Sequence, residues 1–128
     1  MKKAEFKINT KTGEYSVNGY VGKVEFVAPE NKYFTLYFGI NKNLSRYASD
    51  RRWIVTELST GMALSHGRTQ KEAIECSCRG IRGIGVSEFF ERVEETVAKK
   101  KVFKTELPLN TAVIESIQKL KPESGYAI

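Results

Sequence analysis

Polar and apolar residues alternate through the first third of the chain. Lys3-Ala4-Glu5-Phe6-Lys7-Ile8-Asn9 has the period of two that turns one side of a strand toward a core. Thr10-Lys11-Thr12-Gly13 is turn chemistry, and Glu14-Tyr15-Ser16-Val17-Asn18-Gly19-Tyr20 alternates again, so the two runs predict a hairpin. The alternation continues through Val24 and Phe26 to Val27, with Gly22 expected at a bulge. Pro29-Glu30-Asn31-Lys32 punctuates. The run from Tyr33 to Ile40 is the richest in aromatic and β-branched types and is expected at the centre of a sheet. Asn41 to Asp50 reads as a loop, Arg52 to Leu58 as a strand, Ser59-Thr60-Gly61 as a turn, and Met62 to Ser65 as a short return.

The period then changes. Thr69 is placed as an N-cap with Glu72 at capping-box spacing, which predicts a helix over about 70–79 with Ala73, Ile74, Ser77 and Ile81 on its inner side. Ser87 is placed to cap a second helix over about 88–101, carrying Phe89, Phe90, Val93 and Val97. Its glutamates come early and Lys99, Lys100 and Lys101 late, the order that suits the helix dipole. Val102 to Leu107 reads as a strand or extended arm, and Ala112 to Leu120 as a third short helix ended by Pro122. Strands followed by helices predict an α+β fold: an antiparallel sheet in the N-terminal half, two to three helices packed on one face, and a single domain over 1–128.

Between the first two helical patterns lies Arg79-Gly80-Ile81-Arg82-Gly83-Ile84-Gly85-Val86-Ser87, with no acid in it. Glycines let backbone N–H groups turn inward, a helix start adds unpaired donors, and two guanidinium forks add charge. The stretch reads either as a cradle for a phosphate-bearing ligand or as a glycine-rich helix–helix turn with solvated arginines. It matches neither a P-loop nor a dinucleotide fingerprint: no Gly-Lys-Ser/Thr follows, and the glycines follow a helix rather than a strand.

Charge adds one constraint. The 128 residues hold 21 Lys+Arg against 15 Asp+Glu, a net +6. The excess lies mainly in residues 1–68, with 11 against 6. Such a field suits nucleotides, nucleic acid or an acidic protein surface. No run of apolar residues is long enough to span a membrane. Met1-Lys2-Lys3 leads straight to Glu5 and Lys7 without an apolar signal region, so a cytoplasmic protein is expected.

Catalytic chemistry is sparse. His66 is the one histidine and Asp50 the one aspartate. Cys76 and Cys78, two apart on a helix, point about 200° from each other and are poorly placed to share a metal. Neither a metal nor a cofactor is expected. Binding chemistry is better represented. Arg46, Tyr47, Arg51, Arg52 and Trp53 set cations beside aromatics in and after the long loop, where arginine can pair with phosphate and an aromatic face can stack a base for roughly 1–3 kcal/mol. Alternation puts Trp53, Val55 and Glu57 on one face, which suits Trp53 to a core or to a site equally. Phe89 and Phe90, adjacent on a helix, cannot both face one core optimally, so one of them is expected near the glycine stretch, where it could stack on a ligand.

A β-rich half followed by two helices, with Arg79-Gly80-Ile81-Arg82-Gly83-Ile84-Gly85 before Phe89-Phe90, is similar in layout to the anti-Thoeris sponge family of phage-encoded anti-defence proteins. That resemblance implies a non-enzymatic homo-oligomer that sequesters cyclic ADP-ribose-type signals in pockets at subunit interfaces, using arginines and aromatics against pyrophosphate and adenine. In a phage-encoded protein the location would be the host cytoplasm. The stretch from Trp53 through Gly67 to Ile74 also resembles the strand–strand–helix half of HicB-like antitoxins. Neither resemblance carries binding residues over position by position. The candidate ligand-binding set is therefore read from the residues themselves: Arg79, Gly80, Arg82, Gly83, Gly85, Ser87, Phe89 and Phe90 at the glycine stretch, with Arg46, Tyr47, Arg51, Arg52 and Trp53 at the loop. Two other functions fit the same charge. One is nucleic-acid binding through Lys23, Lys32, Lys42, Arg46, Arg51 and Arg52; the other is inhibition of a defence nuclease.

Overall fold

The computed structural model describes residues 1–43, 52–102 and 108–126. Five strands, β1 Lys2–Thr10, β2 Gly13–Val27, β3 Tyr33–Lys42, β4 Trp53–Glu57 and β5 Met62–Gly67, form one antiparallel sheet in chain order. Three helices follow: α1 Gln70–Ile84, α2 Val86–Val102 and α3 Pro108–Ile117. This is the α+β layout that the alternation predicts, with β3 in the middle of the sheet.

Register decides which side chains meet. In β1 and β2, Phe6 lies opposite Val17 and Ile8 opposite Tyr15; in β2 and β3, Val24 lies opposite Leu36 and Phe26 opposite Phe34. Gly22 stays in register opposite Phe38, so the bulge expected there is absent. A Cβ on Gly22 would come within 3.1 Å of the Phe38 ring, so the glycine makes room for that ring. The one irregularity in pairing among the described strands falls instead between Val55 and Thr56.

Two helices, α1 and α2, share one face of the sheet as expected, and α3 covers the other. One face gathers Val24, Phe26, Leu36, Phe38, Ile40 and Val55 under Ala73, Ile74, Cys78 and Ile81 of α1 and Phe89 and Phe90 of α2. The other gathers Phe6, Val21 and Leu58 under Val113 and Ile117 of α3. The reason is visible in β3: Leu36, Tyr37 and Phe38 are apolar in succession, so both faces need cover. Each buried Phe contributes about 1.5–3 kcal/mol. The Phe6 ring lies over Gly39, where a Cβ would come within 2.6 Å of it.

The sheet curls around the second core. Asn9 N–H donates to the Gly61 carbonyl at 2.7 Å, which brings the free side of β1 to the β4–β5 turn. Asn110, 1% exposed, locks this closure. Its Oδ1 accepts from Lys7 N–H at 2.6 Å, and its Nδ2 donates to the Lys7 carbonyl at 2.8 Å and the Leu58 carbonyl at 3.0 Å. After α3 the chain passes the edge of β2 beyond the end of β1. Glu123 N–H donates to the Lys23 carbonyl at 2.8 Å, Lys23 Nζ donates to the Gln118 carbonyl at 2.6 Å, and the Met1 amine pairs with the Glu123 carboxylate. Tyr126 then packs against the first core. Among the described residues no helix is long and apolar enough to cross a membrane.

Candidate functional site

The glycine stretch is a helix junction. Thr69 caps α1 as expected: its hydroxyl accepts from Glu72 N–H at 3.1 Å, while the Glu72 carboxylate reaches back to Arg68 N–H at 3.2 Å. The helix does not stop at Arg79. It runs on through Gly80 and Gly83, both exposed with open space around them, to Ile84. Their backbone groups belong to the helix ladder, so these two glycines form no cradle. Gly85 alone makes the turn, with φ +107°. Its N–H donates to the Ile81 carbonyl at 3.0 Å and its carbonyl accepts from Phe89 N–H at 2.9 Å, so one residue ends α1 and opens α2.

The remaining candidates there are committed within the chain. Ser87 is not the cap; it lies in the first turn of α2 and its hydroxyl donates to the Glu30 carboxylate in the β2–β3 turn. That hydrogen bond, helped by the Glu30 N–H and by Lys32, holds the Glu30 carboxyl below the usual carboxylate range. A carboxylate of the chain itself thus meets the residue expected to serve a ligand. Arg82 donates to the Tyr126 carbonyl at 3.0 Å, and Arg79 reaches Cys76 Sγ at 3.2 Å. Phe89 and Phe90 are both buried, with centroids 5.0 Å apart edge to face. Phe90 also stacks on Phe34 at 4.9 Å and tilts against Phe26 at 5.9 Å. The two adjacent phenylalanines therefore serve one core, because α2 lies flat enough over β2 and β3 for both rings to reach it. Neither is left for a ligand.

Among the described residues, the histidine and the buried cysteine lie apart from a built site. His66 is exposed on β5. Cys78 is buried, and desolvation pushes its thiol up to about 11 despite the nearby Arg82. No three His, Cys, Asp or Glu side chains among the described residues come together as metal ligands.

The loop candidate leads to a different place. Arg46, Tyr47 and Arg51 lie outside the described residues. Arg52 is exposed, and its carbonyl accepts from Asn43 N–H at 2.7 Å. Trp53 is half-buried at the start of β4 and packs against the first core. It also lines a groove of about 760 Å³, within the roughly 300–1,000 Å³ of small-molecule sites. The groove exists because α1 and α2 pack over β3, β4, β5 and the second half of β2, leaving β1 and the first half of β2 bare on that face. The register puts Lys3 opposite Tyr20, Glu5 opposite Asn18, and Lys42 opposite Trp53, all on the face that the helices leave open. Ser16, Asn18 and Asn41 add polar groups to the walls.

One feature gives the groove chemistry. Lys42 Nζ stands 5.7 Å from the centre of the Trp53 ring, a cation held at an aromatic face. Asn41 alternates with Lys42 on β3 and lies opposite Ile54, so its side chain turns to the other face of the sheet; it is 5% exposed, its Nδ2 donates to the Lys42 carbonyl at 3.0 Å, and its buried Oδ1 has no donor among the described residues. A buried acceptor left unpaired costs about 1–3 kcal/mol. Among the described residues the groove thus offers two lysines, two aromatic surfaces in Tyr20 and Trp53, amide and hydroxyl groups, and one acid, Glu5.

Of the described residues in the candidate ligand-binding set, Trp53 lines this groove and those of the glycine stretch do not; Lys42, expected to serve nucleic acid, lines it as well. Lys3, Asn18, Tyr20 and Asn41 were not legible as site residues. Strand parity places each on a face, but only the register aligns those faces, and only the position of the helices shows which half stays open. Comparison with protein-family models, with curated proteins and with solved structures finds no match to this chain.

Proposed function

We propose that the protein is a non-enzymatic binder of a phosphate-bearing nucleotide, held in the groove between the bare strands and Trp53. The observation that carries this reading is the gathering of Lys3, Tyr20, Lys42 and Trp53 on one open sheet face, with the Lys42 cation at the Trp53 ring. A base stacks on Trp53 or Tyr20, and the lysines take the phosphate as mobile point charges. Among the described residues the lining holds one carboxylate and no histidine, cysteine or aspartate, which favours retention over turnover. The layout resemblance to sponge proteins extends the proposal to sequestration of a cyclic ADP-ribose-type signal in a phage-infected cell.

Calorimetry with ADP-ribose, cyclic ADP-ribose and AMP, each against adenosine, tests the reading. Phosphate-bearing ligands bind more tightly than adenosine. Trp53→Ala weakens them roughly 5–150-fold, the equivalent of 1–3 kcal/mol of stacking. No binding by any of them, or binding that Trp53→Ala and Lys42→Ala leave unchanged, refutes it. A single-stranded nucleic acid is the second reading, favoured by the groove's lying along an uncovered sheet. It requires affinity for oligonucleotides that falls steeply with salt, as counterion release dictates.

A further inference from the structure

Among the described residues, the outer side of β1 is closed at one end and open at the other. Lys7 N–H and carbonyl point outward and are both taken by Asn110, and Asn9 N–H is taken by Gly61. The β1–β2 register is continuous from Lys2 to Thr10, so the residues two and four positions earlier, Glu5 and Lys3, also turn their backbone groups outward. Both residues are exposed. Their side chains stand on the open sheet face, and among the described residues neither forms an ion pair, whereas neighbouring Lys7 pairs with Glu14 at 4.0 Å. An edge with unpaired N–H and carbonyl groups is a template for another strand.

We propose that this edge is the dimer contact of the protein: the Lys2–Phe6 segment of β1 pairs antiparallel with the same segment of a second copy, about a two-fold axis at Ala4. Charge selects both the occupant and the register. Centred on Ala4, Lys3 faces the partner's Glu5 and Glu5 faces the partner's Lys3, and these are the residues whose outward N–H and carbonyl groups can be exchanged. Centring on Lys3 sets it against the partner's Lys3. Centring on Glu5 sets acid against acid and Lys3 against the partner's Lys7. Like charges directly opposite are destabilising, so one register remains. The ladder ends at Lys7, where Asn110 already holds the edge. The contact is self-complementary, as a two-fold interface must be. It joins the two sheets through β1 and brings the two open faces to the same side, so each groove gains the partner's Lys3 and Glu5 at its rim. The inference rests on the edge alone and stands whatever the groove binds.

Sedimentation velocity over a dilution series to millimolar protein tests it. A joint this short makes a weak, concentration-dependent dimer. Lys3→Glu and Glu5→Lys each weaken dimerisation roughly tenfold or more, and the double exchange Lys3→Glu with Glu5→Lys restores it. An equal mixture of the two single variants forms the mixed dimer, which also shows that both are folded. Glu5→Pro removes an outward N–H without touching the β1–β2 ladder and abolishes the dimer. A monomer at every concentration, single variants that associate like the wild type, or a double exchange that fails to restore association overturns the proposal.

Discussion

Asn110 is the residue on which the closure of the sheet most depends, and its removal can be worked through. Asn110→Leu keeps the side-chain volume beside Val113 and Ile117 and so leaves little cavity. It removes three hydrogen bonds, to Lys7 N–H, to the Lys7 carbonyl and to the Leu58 carbonyl. At about 1 kcal/mol net each, the loss is about 3 kcal/mol. The orphaned groups differ. Lys7 is half-buried and its backbone can regain water, whereas Leu58 is fully buried and its carbonyl cannot. The second case sits at the upper end of the cost of an unpaired group, which takes the total to roughly 3–4 kcal/mol. For a domain of this size that lowers Tm by roughly 10–15 °C and removes a large part of a typical stability of about 5–15 kcal/mol. Urea melts followed by circular dichroism measure the loss. Amide exchange at Lys7 locates it, since that proton is protected only while α3 is docked. Asn110→Asp sharpens the test. An ionised carboxylate faces two carbonyls, so the variant is at least as unstable near neutral pH and recovers as the pH falls and its protonated oxygen can donate again. A loss below about 1 kcal/mol, with the Lys7 amide still protected, would refute the reasoning.

Two further predictions follow from the junction and the first core. Gly80→Ala and Gly83→Ala each raise stability by about 0.5–1 kcal/mol, because both are exposed helix positions with room for a methyl group; thermal melts showing a loss would return these glycines to a ligand-binding role. The Cys78 thiol, held up at about 11 by burial against an ordinary 9.0, gives a defined pH dependence. The unfolded chain releases this proton first, so stability is intact below pH 9 and falls as the pH rises toward 11; Cys78→Ala removes that slope, and at pH 8 a thiol reagent labels the half-buried Cys76 ahead of Cys78.

Local chemistry was legible in the sequence where local forces decide. The period-two runs found β1 and β2, the aromatic run found the central strand, turn chemistry bounded β4 and β5, and the Thr69–Glu72 spacing found the start of α1. The failures share a cause. Gly80 and Gly83 are poor helix formers, yet Ile81 between them is 2% exposed in the first core, and tertiary burial carries the helix past both. Phe89 and Phe90 were divided between core and site because a narrow apolar stripe was assumed; the sheet beneath α2 is broad enough to take both. The second covered face went unseen because α3 reaches β1 from far along the chain, through an asparagine that periodicity does not mark. The groove was half legible: Trp53 stood out as an aromatic among arginines and Lys42 only as one of the basic residues suited to nucleic acid, but their neighbours on β1 and β2 are joined to them only by register.

The joins that complete this molecule are the most distant ones in its sequence. Lys7 and Asn110 are 103 positions apart, and Met1 and Glu123 are 122 apart. While the chain is being made, the hairpin of β1 and β2 is free of the ribosome long before α3 and the strap past β2 exist. Through that interval the outer side of β1 is open along its whole length, Lys7 and Asn9 included, and the second core has no lid. A nascent copy therefore carries a longer sticky edge than a finished one. Its alternating Lys3, Glu5 and Lys7 charges are then the main defence against pairing in a wrong register with its neighbours on the same message.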